Sequence, residues 1–523
     1  MVEKTRKRVR GITLIALVIT IIVLLILAGV TITSLTGRNG ILNNAIKAKQ
    51  ETEYRSVEEK VQLAIVGSHD RTGNMNASDF ETEVNQMGGT SKINGTEAIV
   101  EVDGYSFWVD LVTGEMQQIQ TGPIEQPENT PQYWEATGRI DSQWYSYVDI
   151  ATNTTVKVNS PRLKGKMTPI KYVGQEQSGS KWANAMTTDG SMWVWVPRYA
   201  YKITEGYHTS TAGKIEVAFL DTNNHFLNSA DTGTIETDPS KITYTGNSQD
   251  QWLVHPAFTS NAENGGGFGE IAGIWVAKFE ASGTDATNLV IKPGLISLRG
   301  KSANDFYHMG QEAKYGETEN LTSHMMKNSE WGAVAYLTHS KYGRNKEELA
   351  INTNSDYYTG GNNDKNIVYT TNKSQSTTNN ATGIYDISGG GWEYTASYLN
   401  NDDDSLKTYA GNAKGDLYGA TEEEQSKSTA FKTVYKMGNS GDQNLNYEIN
   451  SKIKGDAVYE TSNSATTSYG SWNEDYSSFP YPSRAVFTRG GSEHSSTSAG
   501  AFYFADSMGT GSGYTSFHTV LAF

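Results

Sequence analysis

The sequence predicts an α+β protein in two parts. A long N-terminal helix, membrane-spanning and then amphipathic, carries a small antiparallel sheet, and a large loop-rich α+β domain follows. Three observations predict it. Residues 12–32 read ITLIALVITIIVLLILAGVTI, aliphatic apart from three threonines and Gly29. Ile41, Leu42, Ala45 and Ile46, then Val57, Val61, Ala64 and Ile65, recur at three- and four-residue spacing, the period of a helix with one apolar face. Beyond residue 98, short alternating apolar runs stand between clusters of Gly, Asn, Asp and Pro, the pattern of many short strands. A chain of 523 residues exceeds what one core organises, so two or three domains are expected.

The apolar run makes a helix of roughly 31 Å at about 1.5 Å per residue, the thickness of a bilayer core. It is longer than a secretory signal core of about 7–15 residues. Lys4, Arg6, Lys7, Arg8 and Arg10 precede it, with Glu3 the sole acid. The start is therefore expected in the cytoplasm and everything after the span outside the cell membrane, at the cell surface. The basic leader, Gly11 and the hydrophobic helix together resemble the amino terminus of type IV pilins and pseudopilins. The resemblance implies cleavage by prepilin peptidase after Gly11 and methylation of Ile12 as the mature terminus. Pilins carry Glu at the fifth mature position, where it neutralises a neighbour's amine; here that position is Ala16. An amine left unpaired in lipid is costly, which favours a place at a filament tip over one in its shaft. A plain single-span anchor is the alternative.

After the span, Gly37-Arg38-Asn39-Gly40 predicts a kink, and the amphipathic helix is expected to run on to about Gly67. Residues 98–119, AIVEVDGYSFWVDLVTGEMQQI, alternate about Asp103-Gly104 and Thr113-Gly114, which predicts strands joined by tight turns. TGPIEQPENTPQ holds three prolines and no core-forming run, the composition of a linker. The expected organisation is thus a leader at 1–11, helix and small sheet at 12–120, linker at 121–132 and head at 133–523.

Within the head, SMWVWVPRYAYKI (191–203), GIWVAKFEASG (273–283) and GAFYFA (500–505) read as strands. Met192, Val194 and Val196 alternate with Trp193 and Trp195, so the first strand is expected to be buried on both faces. A helix is predicted over Ser329–Ser340, capped by Ser329, with Val334 and Leu337 inward. The polar tracts 221–250, 343–382 and 400–470 read as surface loops.

Net charge is −15, and no basic cluster lies beyond the leader, so nucleic acid is excluded as a partner. There is no cysteine, which removes disulfides, thiolate metal sites and cysteine nucleophiles together and suits a Gram-positive exterior. No H-E-x-x-H, P-loop or G-x-S-x-G occurs, and the nine histidines stand singly. A carboxylate pair for glycoside hydrolysis stays open as a class, but nothing in the sequence selects one.

Three segments, NSEWGAVAYLTHSKYG (328–343), GIYDISGGGWEY (383–394) and FTRGGSEHSSTSAGAFYF (487–504), with SFHTVLAF after them, resemble the formylglycine-generating-enzyme and sulfatase-modifying-factor family. That family has an elaborated C-type lectin fold, which the resemblance implies for the head. The family's G-N-x-W-E-W reads here Gly389-Gly390-Gly391-Trp392-Glu393-Tyr394, its R-G-G-S reads Arg489-Gly490-Gly491-Ser492, and its terminal G-F-R reads Ser516-Phe517-His518. The family's aerobic oxidases use two active-site cysteines, so that chemistry is lost here and no enzyme is expected. The resemblance also implies Ca²⁺ held by Glu393 with the backbone of Gly389 and Gly391, although Gly390 replaces the usual Asn. The alternative is Glu393 bonded to amides of its own loop. Asn400-Asn401-Asp402-Asp403-Asp404 reads as a solvated loop, with chelation the less favoured alternative.

In related lectin-like proteins diversified by retroelements, the C-terminal region forms the ligand face. By that likeness Glu493, His494, Ser495, Ser496, Thr497, Tyr503, Asp506, Ser507 and Tyr514 are the candidate ligand-binding residues, on a shallow exposed surface. Phe502 and Phe504 face the core while Ala501, Tyr503 and Ala505 face outward, and Arg489 is expected to bond carbonyls. The function expected is a pilin-like, membrane-anchored binding protein, an adhesin or minor tip pilin, whose head takes an extracellular protein or glycan. The alternatives are a capping or priming subunit among other pilins and, third, an enzyme acting on surface polymers.

Overall fold

The computed structural model describes residues 41–69, 75–103, 105–114, 116–119, 134–136, 146–149, 154–159, 161–174, 180–361 and 369–523. The expected leader, the cleavage site at Gly11 and Ile12, the span, the kink and the linker lie outside them. Among the described residues no helix is long and apolar enough to cross a membrane. The fold is mixed α+β with several sheets and seven α-helices among the described residues, and it divides into two compact units, 1–119 and 120–523.

In the first unit, helix α1 (Ile41–Gly67) buries Val57, Val61, Ala64 and Ile65, one apolar stripe at helical spacing. Helix α2 (Ala77–Gln86) was not legible from periodicity, since Phe80 and Val84 are its only buried residues. Its start is set by Asn76, whose Oδ1 accepts from Ser78 N at 2.9 Å and Asp79 N at 3.3 Å. Four antiparallel strands follow in sequence order: β1 (Thr90–Asn94), β2 (Glu97–Val102), β3 (Tyr105–Asp110) and β4 (Met116–Ile119). Ala98, Val100 and Val102 of β2 and Phe107 and Val109 of β3 join the helical stripe in one core.

The second unit is built on three larger sheets. One has its centre at β5 (Met192–Pro197) between Gly273–Ala277 and Asn184–Met186, both antiparallel to it. Every residue of β5 is buried: Trp193 and Trp195 enter one core cluster and Val194 and Val196 the other, so burial on both faces holds. A second sheet pairs Tyr199–Glu205 with Lys214–Phe219 and Trp252–Val254. The third, described below, carries the candidate site. Helix α3 (Ala303–Glu312) opens with a capping box between Ser302 and Asp305. Helix α4 (Asn328–His339) is buried at all 12 positions. A Cβ on its Gly332 would lie 1.9 Å from Gly455 O, so glycine permits the close approach of that loop.

Several expectations are corrected here. The cap of α4 is Lys327 rather than Ser329: Glu330 Oε2 accepts from Lys327 N at 2.9 Å, while Ser329 Oγ donates to Gly265 O at 2.6 Å. A helix buried on every side spends its first-turn hydroxyl on a neighbouring loop. The tract 400–470 is not loop throughout but contains helices Asp404–Tyr409, Glu422–Ser426 and Gln443–Ile449 and strand Thr433–Lys436. The acidic run begins the first of these, with Asp403 Oδ1 accepting from Ser405 N at 2.9 Å, so it serves as a helix cap. Residues 376–380, within a tract expected at the surface, are mostly buried; neighbouring Ala381 and Gly383 offer carbonyls to the buried Lys278 ammonium at 2.6 and 2.8 Å.

Candidate functional site

The third sheet centres on β6 (Trp392–Asn400), which pairs antiparallel with β7 (Val486–Gly490); β7 in turn pairs with β8 (Gly500–Ser507). Thr515–Ser516 lies parallel to the start of β6, opposite Trp392 and Glu393. Strand alternation divides the side chains between two faces. Glu393, Arg489 and Phe504 turn inward, and Trp392, Tyr394, Thr488 and Ala505 turn outward.

Inward, the guanidinium of Arg489 is fully buried and donates to Asp456 O and Ala457 O, both at 3.0 Å, as expected of a carbonyl-bonding arginine. Burial lowers its pKa to about 10. Glu393 meets His518 rather than amides of its own loop: Oε2 and Nδ1 are 2.5 Å apart. Burial, then Asp386, raises the Glu393 carboxyl well above its ordinary range, and burial lowers His518 to about 4. Both directions favour a neutral pair in which protonated Oε2 donates to Nδ1. Glu280 and Asp386 border the same spot; burial pushes both up, and in Glu280 the neighbouring Glu393 adds to it. Gly391 N donates to Glu280 Oε1 at 2.8 Å.

The Gly389–Gly391 turn fits this arrangement. Gly389 and Gly390 hold φ of 77° and 74°, and a Cβ on Gly390 would sit 2.7 Å from Glu280 Oε1. The family's Asn has no room there. Around the turn Gly389 N donates to Gly490 O and Gly390 O accepts from Glu493 N, while the side-chain oxygens Ser388 Oγ, Glu393 Oε1 and Ser516 Oγ have no hydrogen-bond partner. Calcium takes about six to eight oxygens. Among the described residues no three His, Asp or Glu side chains are grouped to hold a metal.

Outward, the sheet floors a cavity of about 420 Å³ lined by Trp392, Tyr394, Tyr476, Arg484, Tyr503 and Asp506, with Ser507, Met508, Thr510 and Ser512 also in its wall. Tyr476 and Tyr503 stack at 5.6 Å. Tyr394 Oη donates to Thr510 O at 2.9 Å and lies 3.0 Å from Ser507 Oγ, which fixes its ring. Asp506 takes Arg484 Nε on one oxygen and Ser478 Oγ on the other, and its carbonyl takes Arg484 Nη2 at 3.0 Å. The expected outward face of β8 is therefore not free. Ala501, Tyr503 and Ala505 are buried, Tyr476 stacks on Tyr503, and Tyr503 and Ala505 line the cavity.

The candidate residues fall into two groups joined by Trp392. Tyr503, Asp506 and Ser507 line the cavity. Glu493, His494 and Tyr514 stand on the other side, with Tyr514 6.2 Å from the Trp392 ring and 6.0 Å from the His494 ring. Glu493 is turned in beneath His494 and accepts from the Tyr357 hydroxyl. Ser495, Ser496 and Thr497 form a short turn, in which Ser495 Oγ accepts from Ser492 N at 2.9 Å and Ser496 and Thr497 are exposed. The sequence reading missed Tyr357, Tyr394, Tyr476 and Arg484 as parts of this face. The i, i+2 spacing of Trp392 and Tyr394 on a strand was the available signal. No protein-family model matches the chain, and no curated protein matches it.

Proposed function

We propose that this chain is a pilin-like surface protein, anchored by its N-terminal segment, whose second unit is a C-type-lectin-like head that binds an extracellular protein or glycan. The aromatic cavity at Trp392 carries the proposal. Flat aromatic rings, with Tyr394 fixed by its own hydrogen bonds and Tyr476 and Tyr503 stacked on each other, are interleaved with a carboxylate, a guanidinium and hydroxyls, and stack on a ligand and fix its orientation at low entropic cost. Arg484 and Asp506 are already paired, so they offer their remaining donor and acceptor positions without an uncompensated buried charge. The head carries no thiol, so the oxidase activity of the family it resembles has no place in this reading.

In the same reading prepilin peptidase cuts after Gly11, Ile12 is methylated, and Ala16 places the subunit at a filament tip or free in the membrane. Purified full chain in detergent, applied to glycan and extracellular-matrix arrays, tests the binding claim. Specific binding that is lost in Trp392→Ala is the expected result. A blank on every array sinks it and favours the second reading, a capping or priming subunit, for which Ala16 is the observation.

A further inference from the structure

Four stretches of chain meet on the Glu493 side of Trp392: Arg299, Tyr357, Glu493–His494 and Gly513–Tyr514. The Glu493 side chain is 2% exposed. Its Oε1 takes the Tyr357 hydroxyl and lies 3.1 Å from His494 Nε2, but Oε2 is buried with no hydrogen-bond partner. A carboxylate oxygen stripped of water and left bare calls for a donor. Arg299 does not supply it. Its Nη1 donates to Gly513 O at 2.6 Å, its guanidinium lies 3.8 Å from the centroid of the Tyr357 ring, and its Nε is likewise buried and unpartnered. Tyr357 itself holds φ of 60°, a left-handed conformation that costs a bulky side chain strain and is often kept at binding sites. Beside these groups His494 and Tyr514, their rings 6.0 Å apart, are exposed by 64% and 48%.

We infer that this spot takes a cationic nitrogen, and that the ligand of the Trp392 face is an oligosaccharide carrying a free amino group. The inference rests on the binding reading above and names its ligand. A sugar ammonium donates to Glu493 Oε2 while the adjacent ring hydroxyl accepts from Arg299 Nε, a donor and acceptor side by side as in a 2-amino sugar. The next ring then lies against Trp392 and Tyr514 and reaches the cavity, where aromatic faces meet its C–H face and Asp506, Arg484 and Ser507 meet its hydroxyls. A lysine tip from a protein satisfies Glu493 but leaves that adjoining cavity without an occupant. The net charge of −15 favours encounter with a cationic polymer.

Isothermal titration of the full chain in detergent tests this with glucosamine and galactosamine oligomers, their N-acetylated counterparts and an oligolysine peptide. A free-amino oligomer is expected to bind at least about thirtyfold tighter than its acetylated form, the low end for removing one partner of a buried charge pair. Glu493→Gln is expected to reduce it to the acetylated level, whereas Trp392→Ala weakens both forms. Equal binding of the two forms, indifference to Glu493→Gln, or oligolysine binding that no amino sugar matches overturns the inference. If arrays instead reveal a neutral glycan or a protein bound through Trp392 and amino sugars fail, this inference falls and the binding reading stands. If nothing binds on any array, both fall.

Discussion

Replacing Glu393 by Gln separates a neutral Glu393–His518 pair from an ion pair. The carboxyl and the imidazole are 2.5 Å apart and fully buried, a contact either charge state can make. Burial raises the first and lowers the second to about 4, which selects the neutral form. A carboxyl whose folded pKa is raised holds its proton in the native state after the unfolded chain has released it. Its stabilisation is complete below the unfolded value of about 4.3 and is lost as pH rises towards the folded value, by about 1.4 kcal/mol per pH unit. Gln is nearly isosteric with the protonated acid, donates to the same Nδ1 and does not titrate. Wild type and Glu393→Gln are thus expected to have similar stability near pH 4.5. The variant should then gain steadily on wild type, by up to roughly 3 kcal/mol at pH 7. Other buried groups titrate in both proteins, so the difference isolates Glu393. Urea melts of the full chain in detergent, followed by tryptophan fluorescence at several pH values, measure it. Parallel midpoints across the range, or wild type gaining on the variant as pH rises, refute the neutral pair; the latter is the mark of a depressed carboxylate in an ion pair.

Three further outcomes follow from the same geometry. Gly390→Asn, which restores the family's usual residue, drives a side chain into Glu280 Oε1 at 2.7 Å and should lower stability by about 1–3 kcal/mol in urea melts; an unchanged midpoint means the turn is wrongly placed. Millimolar calcium should leave the thermal midpoint where EDTA leaves it, because among the described residues no three His, Asp or Glu side chains are grouped to hold a metal. A calcium-dependent rise that disappears in Glu393→Gln reverses that conclusion. Residues 120–523, expressed without the first unit, should be soluble and unfold in one cooperative transition; aggregation or a melt without a transition places the domain boundary elsewhere.

Where one face of an element met one core, its pattern was legible. Val57, Val61, Ala64 and Ile65 mark the buried stripe of α1, and the chain breaks between β2, β3 and β4 at Asp103 and at Thr113-Gly114, where the pattern placed them. The alternation in β5 also sufficed, because large side chains on both faces leave no solvent side. Legibility failed where tertiary burial overrode local pattern. Phe80 and Val84 are too few to announce α2, and the residues around Ser376 are polar yet mostly buried, since Ser376, Thr378 and Asn380 satisfy one another and Asn380 donates to Ser180 O. Ser329 looked like a cap because a cap is the commonest use of serine before an apolar run; a loop at Gly265, more than sixty residues earlier in the chain, claimed it instead.

The candidate face was half legible for a related reason. Glu493, His494, Tyr503, Asp506, Ser507 and Tyr514 lie within one C-terminal stretch, so a reading of that stretch could collect them. What turns them into a site comes from elsewhere: Arg299 and Tyr357 from two distant loops, Trp392 and Tyr394 from β6, Tyr476 and Arg484 from the approach to β7. Each contributes through pairing that only the sheet provides. Trp392 stands opposite Thr515 and thereby beside Tyr514, while Glu393, one residue on, is turned the other way to His518. Neighbouring residues of a single strand thus face opposite ways, one lining the outer cavity and the other holding the buried polar cluster beneath it. A change at Glu393 should therefore be felt in stability and its pH dependence, and a change at Trp392 in affinity. A ligand that shifted both together would mean that the face and the cluster are one site.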